Sequence, residues 1–126
     1  MHFSAEERTA ENVSGQICKE LQEVFGDKIS DIKVDDMEDD DPDGNYPQFF
    51  PRFVIKFLAY DYFTVFLAVE GSQFNCGVVY MDVRYVPLIQ GRHYYTDEDF
   101  RECLAQISEE IALRIPDKFL RSRGCL

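Results

Sequence analysis

This sequence is defined first by what is missing from it. It has no tryptophan and only two histidines, His2 and His93. Neither lies at a spacing from Cys, Asp or Glu that builds a metal site, so zinc-type ligation and His-centred catalysis have little to work with. No G-x-S-x-G, G-x-x-x-x-G-K or G-x-G-x-x-G occurs, which removes the common signatures of nucleophilic hydrolysis and of phosphate or dinucleotide binding. The longest apolar runs, such as Phe63 to Val69, fall well short of the roughly 20 residues that span a bilayer. Residues 1 to 11 lack the basic and apolar regions of a secretory signal, and a cytoplasmic location is expected. The four cysteines form no C-x-x-C pair. Without an export context, free thiols are expected rather than a disulfide framework.

Positive charge is scarce as well. The net charge is −11 over 126 residues. Residues 1–45 carry 14 Asp/Glu against 4 Lys/Arg, whereas residues 46–126 carry 10 against 9, so nearly all of the excess lies in the first third. Phosphate backbones need the opposite sign, so nucleic acid is excluded as a partner and a basic protein is favoured.

What is present is enough apolar content, 45 %, for one domain spanning 1–126. Val13, Ile17, Leu21, Val24 and Phe25 recur at steps of three and four, predicting a helix over about 4–25 with Ser4 as N-cap and Gly26 as its stop. Ile32 and Val34 suggest a short strand. Arg52–Leu58, Tyr62–Val69 and Val78–Val86 alternate with period two and are rich in β-branched and aromatic residues, predicting three further strands joined by tight turns. A segment from Pro87 to Tyr95 reads as irregular. Thr96-x-x-Asp99 resembles a capping box, and Phe100, Cys103, Leu104, Ile107 and Ile111 form a second helical stripe ending near Pro116.

With no crossover helix between strands, the expected fold is α+β, an antiparallel four-stranded meander with the N- and C-terminal helices packed on one face. Phe53, Phe57, Val65, Leu67, Met81 and Val83 are assigned to that face. Val54, Leu58, Tyr62, Phe66, Val78 and Tyr80 are assigned to the opposite one, which is either covered by the N-terminal helix or the 87–95 segment or, left exposed, apolar enough for self-association as a homodimer, for a partner, or for a weakly held small molecule.

The segment 35–45 contains seven acidic residues in eleven: Asp35, Asp36, Glu38, Asp39, Asp40, Asp41 and Asp43. Like charges and Pro42-Asp43-Gly44 predict a mobile acidic loop inserted between the first and second strands. Asp39-x-Asp41-x-Asp43-Gly44 copies the opening of a calcium loop, but its twelfth position is Phe50 where a bidentate Glu is required, so no metal and no cofactor is assigned. Held on a rigid sheet, such a loop offers a polyanionic surface to a basic groove, with Tyr46, Phe49 and Tyr62 as aromatic anchors at its rim.

The short acidic α+β chain, the aromatic strands from Phe53 to Val86, the acidic loop at Asp35–Asp43 and the terminal run Leu113-Arg-Ile-Pro-Asp-Lys-Phe-Leu120 together resemble the small immunity proteins of bacterial polymorphic toxin systems, including contact-dependent growth inhibition. The resemblance spans the domain and carries over no functional residue. It implies a non-enzymatic protein that binds a cognate toxin domain, often a nuclease, and covers its active site or a neighbouring surface. The alternative is a chaperone of the type III secretion kind, small, acidic and dimeric, holding an effector segment. That family places a helix between its third and fourth strands, for which Glu70 to Asn75 leaves no room.

Overall fold

The computed structural model describes residues 1–81, 84–122 and 124, apart from the side chains of Tyr80 and Met81. Helix α1 runs Ala10–Phe25, and strand β1 runs Ile29–Glu38. Strands β2 (Arg52–Ala59), β3 (Phe63–Glu70) and β4 (Gln73–Met81) follow, then the short β5 (Arg84–Pro87) and β6 (His93–Tyr94). Helices α2 (Phe100–Leu113) and α3 (Asp117–Ser122) close the chain. The sheet is an antiparallel meander in the order β1-β2-β3-β4-β5, with β6 also pairing to β4. The expected fourth strand, Val78–Val86, is instead divided between the end of β4, which already begins at Gln73, and the antiparallel β5, and β6 is a further short strand. The α+β architecture stands.

Helix α1 begins later than Ser4. Ser4 and Glu7 bond reciprocally, each backbone N–H to the other's side-chain oxygen at 3.2 Å, and so form a separate turn. The carbonyl of Glu7 then accepts from the Thr9 N–H, and Thr9 Oγ1 caps the helix by accepting the Asn12 N–H at 3.1 Å. Val13, Ile17, Leu21 and Phe25 form the buried stripe, and Gly26, at φ +60, ends the helix with its N–H on the Gln22 carbonyl. Helix α2 likewise starts after the expected Thr96, with Asp99 at its N-cap position. Its stripe of Phe100, Leu104, Ile107 and Ile111 is buried against the same core. Beyond Pro116, α3 supplies the one further turn that the sequence suggests.

The core lies between α1 and α2 and one face of the sheet. Phe53, Ile55 and Phe57 of β2, Val65, Leu67 and Val69 of β3, and Phe74, Cys76 and Val78 of β4 are all at most 3 % exposed. Burying each large side chain of this kind contributes about 1.5–3 kcal/mol. Val78 is thus on the inner face, not the outer one. Its partner across the ladder is the inward-facing Val65, and opposed residues share a face. The sequence assigns β4 the wrong parity because Val78, Val79 and Tyr80 are apolar without a break. The assignments of Tyr80, Met81, Asp82 and Val83 fall on side chains or residues outside those described.

The strand registers set the outer face in four rows. They are Ser30–Leu58–Thr64–Val79–Tyr85, Lys33–Lys56–Phe66–Gly77–Pro87, Asp35–Val54–Ala68–Asn75, and Glu38–Arg52–Glu70–Gln73. Val54, Leu58, Phe66, Ala68 and Val79 are half-buried there. Phe66 meets the Tyr85 ring edge-on at 4.8 Å above Gly77, where an added Cβ would lie 2.8 Å from Phe66 and 3.0 Å from Tyr85. Glycine here makes room for an aromatic bridge over β4.

Between β3 and β4 the chain turns in two residues, Gly71 and Ser72, since Glu70 pairs with Gln73. Gly71 is at φ +63 and its N–H bonds the Pro51 carbonyl at 3.0 Å. No described helix exceeds the length and apolarity needed to cross a membrane.

Candidate functional site

The acidic segment is half strand and half turn, not a mobile loop. Asp35 pairs with Val54 and Glu38 with Arg52, so the first three carboxylates, Asp35, Asp36 and Glu38, ride on the end of β1. The charge run conceals this strand because its outward side chains are acidic while its backbone groups are still paired to β2. A bulge lies between the two pairs, with Asp36 at φ +58. That left-handed conformation is one that Asp tolerates better than most side chains. Glu38 Oε1 accepts from Arg52 Nη2 at 3.1 Å, and the Arg52 guanidinium sits 4.7 Å from the centre of the Phe50 ring.

Past the strand, the chain is folded by its own carboxylates. Asp39 Oδ1 accepts the Ala10 N–H at 2.7 Å, closing the first turn of α1. Asp41 Oδ1 accepts from the Asp43 N–H at 3.0 Å and its Oδ2 from the Tyr46 N–H at 2.7 Å. These two backbone donors, Tyr46 foremost, hold the Asp41 carboxyl below the usual aspartate range. The carbonyl of Asp41 also receives the Gly44 N–H at 3.1 Å. Two of the three carboxylates in the calcium-like opening are therefore turned onto backbone N–H groups rather than converging on a common point.

After this turn, a short 3₁₀ segment at Pro47–Phe49 places the Tyr46 and Phe49 rings 6.2 Å apart, with the two residues 59 % and 38 % exposed. Asp40 and Asp43 are exposed on the same turn, and Asp35 and Asp36 on the end of β1. An open hollow of about 410 Å³ lies between this turn and the start of the chain, lined by Arg8, Asp39, Asp40, Asp41 and Phe50 among others. The assembly is an anionic surface carrying two aromatic rings.

Tyr62 does not belong to it. It sits at the β2–β3 turn, edge-on to Phe63 at 4.7 Å and to Phe119 of α3 at 4.9 Å. That turn lies at the opposite end of β2 from Arg52, a distance of roughly 23 Å at the strand's rise per residue. Tyr62 reads as a rim aromatic in the sequence only because nothing there gives the direction of β2.

A second grouping was invisible in the sequence. Pairing of β6 to β4 brings His93 against α2, so that its Nδ1 lies 3.9 Å from Cys103 Sγ. His93 Nε2 is 2.7 Å from the Gln90 carbonyl, which only accepts, so Nε2 carries a proton and Nδ1 is the nitrogen that faces the thiol. Burial, and secondarily the Asp99 charge, pushes the Cys103 thiol above its ordinary pKa. A thiol held protonated is not an activated nucleophile. The only route to this contact in the sequence was the strand character of His93-Tyr94, too short to stand out.

Comparison with protein-family models, curated proteins and solved structures finds no match to this chain.

Proposed function

We propose that the protein is a non-catalytic binding protein that receives a cationic partner surface on the acidic end of the sheet. The observation that carries this reading is the turn that exposes Asp40, Asp43 and the Tyr46–Phe49 ring pair, with Asp35 and Asp36 exposed on the end of β1 that leads into it. Carboxylates steer a basic partner and speed its association, while aromatic rings supply desolvated contact area at the docked surface. Asp39, Asp41 and Glu38 act behind them, since their oxygens hold α1, the turn and Arg52.

Taken with the resemblance to immunity proteins, the partner is a cognate basic toxin domain whose active site or adjacent surface is occluded. The secretion-chaperone reading has less support, because the β3–β4 connection is two residues long. The test is co-expression with the product of the adjacent reading frame, followed by stopped-flow association of the purified pair. Asp36→Asn, Asp40→Asn and Asp43→Asn together should lower the association rate by about tenfold or more and flatten its salt dependence. Unchanged kinetics, or no protection from that product, would remove the acidic surface from the interface.

A further inference from the structure

We propose that Cys103 and His93 form a binding site for a soft monovalent cation of the Cu(I) type, held between the thiolate sulfur and the imidazole Nδ1. This does not rest on the reading of the acidic turn. Ten positions separate the two residues in the chain, and the pairing of β6 to β4 through His93 and Phe74 is what brings the ring against α2. Both side chains are half-buried, so an ion reaches them from the surface while elements of regular structure hold them in place. The two donors face a common point. Sγ and Nδ1 are 3.9 Å apart, and metal–nitrogen and metal–sulfur bonds of about 2.0 and 2.3 Å would meet at an angle of about 130° on an ion between them. The ring is also oriented as a metal-bound histidine is. Its Nε2–H donates to the Gln90 carbonyl at 2.7 Å, which leaves the lone pair of the neutral ring on the nitrogen that faces the sulfur.

The number and type of donors select the ion. Among the described residues no three His, Cys, Asp or Glu side chains converge on a metal position, so four-coordinate zinc and oxygen-bound calcium or magnesium lack their ligand sets. One thiolate and one imidazole, at an angle wider than tetrahedral, suit an ion satisfied by few, soft donors, which is Cu(I) rather than Zn(II). The surroundings agree. The Phe74 ring lies 5.9 Å from that of His93 and 5.2 Å from that of Phe100, an apolar wall that limits water on that side. Asp99 and Cys76 are the ionisable groups besides His93 whose influence reaches Cys103: the Asp99 charge favours a cation there, and Cys76 is fully buried behind it on β4. On binding, the Cys103 proton leaves to water and the cation takes its place on sulfur, so the charge at the site is unchanged.

Anaerobic titration of the full chain with Cu(I) against a chromogenic Cu(I) chelator tests the site. The wild type should retain a single ion in competition with the chelator. In nitrogen NMR the Nδ1 signal of His93 should move on loading while Nε2 keeps its proton. Cys103→Ser and His93→Ala should each weaken uptake by about 100-fold or more, beyond what the loss of a supporting second-shell group costs, and unchanged circular dichroism establishes that both variants fold. Cys18→Ser removes a thiol on α1 and should leave uptake as it was. Asp36→Asn, Asp40→Asn and Asp43→Asn should also leave it untouched, which separates this site from the acidic end. Uptake that survives His93→Ala belongs to thiols alone and overturns the proposal. So does a wild type that yields all of its Cu(I) to the chelator, or one that holds Zn(II) more tightly than Cu(I).

Discussion

Asp39 caps a helix that begins 29 positions before it: its carboxylate oxygen accepts the Ala10 N–H at 2.7 Å. Together with Thr9 it satisfies two of the N–H groups left open at the start of α1, and its charge suits the positive end of the helix. Asp39→Ala should therefore lower the unfolding free energy by about 1 kcal/mol, with Asp39→Asn in between. Urea denaturation followed by circular dichroism checks this. Asp40→Ala, one residue along and exposed, should change stability within about 0.5 kcal/mol.

Asp41 makes the turn sensitive to acid. Its folded pKa lies below its unfolded value because the charged form holds the Tyr46 and Asp43 N–H groups. Its contribution is complete above the ordinary aspartate pKa and is lost as the pH falls through the depressed folded value. In amide NMR spectra, the Tyr46 and Asp43 signals should move together with a midpoint below that of an unperturbed aspartate. Asp41→Asn should abolish that titration.

Gly71 tolerates no side chain. Its backbone is left-handed, and an added Cβ would run into the carbonyl oxygen of Gln48, which is main chain and cannot swing aside. Gly71→Ala should cost about 2–4 kcal/mol, combining the backbone penalty with overpacking. At Gly44, equally left-handed but with open space around it, alanine should cost only the backbone share, about 1 kcal/mol. Paired thermal or urea unfolding of the two variants distinguishes them.

Cys103 should alkylate slowly. With its thiol pKa raised chiefly by burial, its rate of reaction with iodoacetamide at pH 8 should fall several-fold below that of a free thiol and rise as the pH increases. Site-resolved mass spectrometry reads the rate. His93→Ala should not convert Cys103 into a fast-reacting residue, because the imidazole is not what sets its ionisation.

Much of the architecture could be read from spacing alone. The alternation at Phe53–Phe57 and Val65–Val69 fixes two central strands, since one face of each is buried and the other is not. The stripes Val13–Phe25 and Phe100–Ile111 fix the helices that cover them. Failures cluster where local chemistry and tertiary context disagree. Asp35 and Glu38 extend a strand whose acidic side chains look like loop, because ladder pairing needs only the backbone. Leu88 and Tyr95 are buried within a stretch without periodicity, held there by bonds to the Cys76 and Ser72 carbonyls that only the folded sheet supplies. The acidic surface was visible as composition, but the division of its residues into those that hold the turn and those that face solvent depends on bonds spanning up to 29 positions.

The Gly71–Pro51 bond and the Asp39–Ala10 bond tie down the two ends of the segment that carries Tyr46 and Phe49. Between these fixed points the chain is further braced by Asp41, so its tip is already arranged before anything arrives. A visitor to that end of the molecule has little backbone freedom left to freeze, so that part of the entropy normally surrendered on docking a surface loop is small.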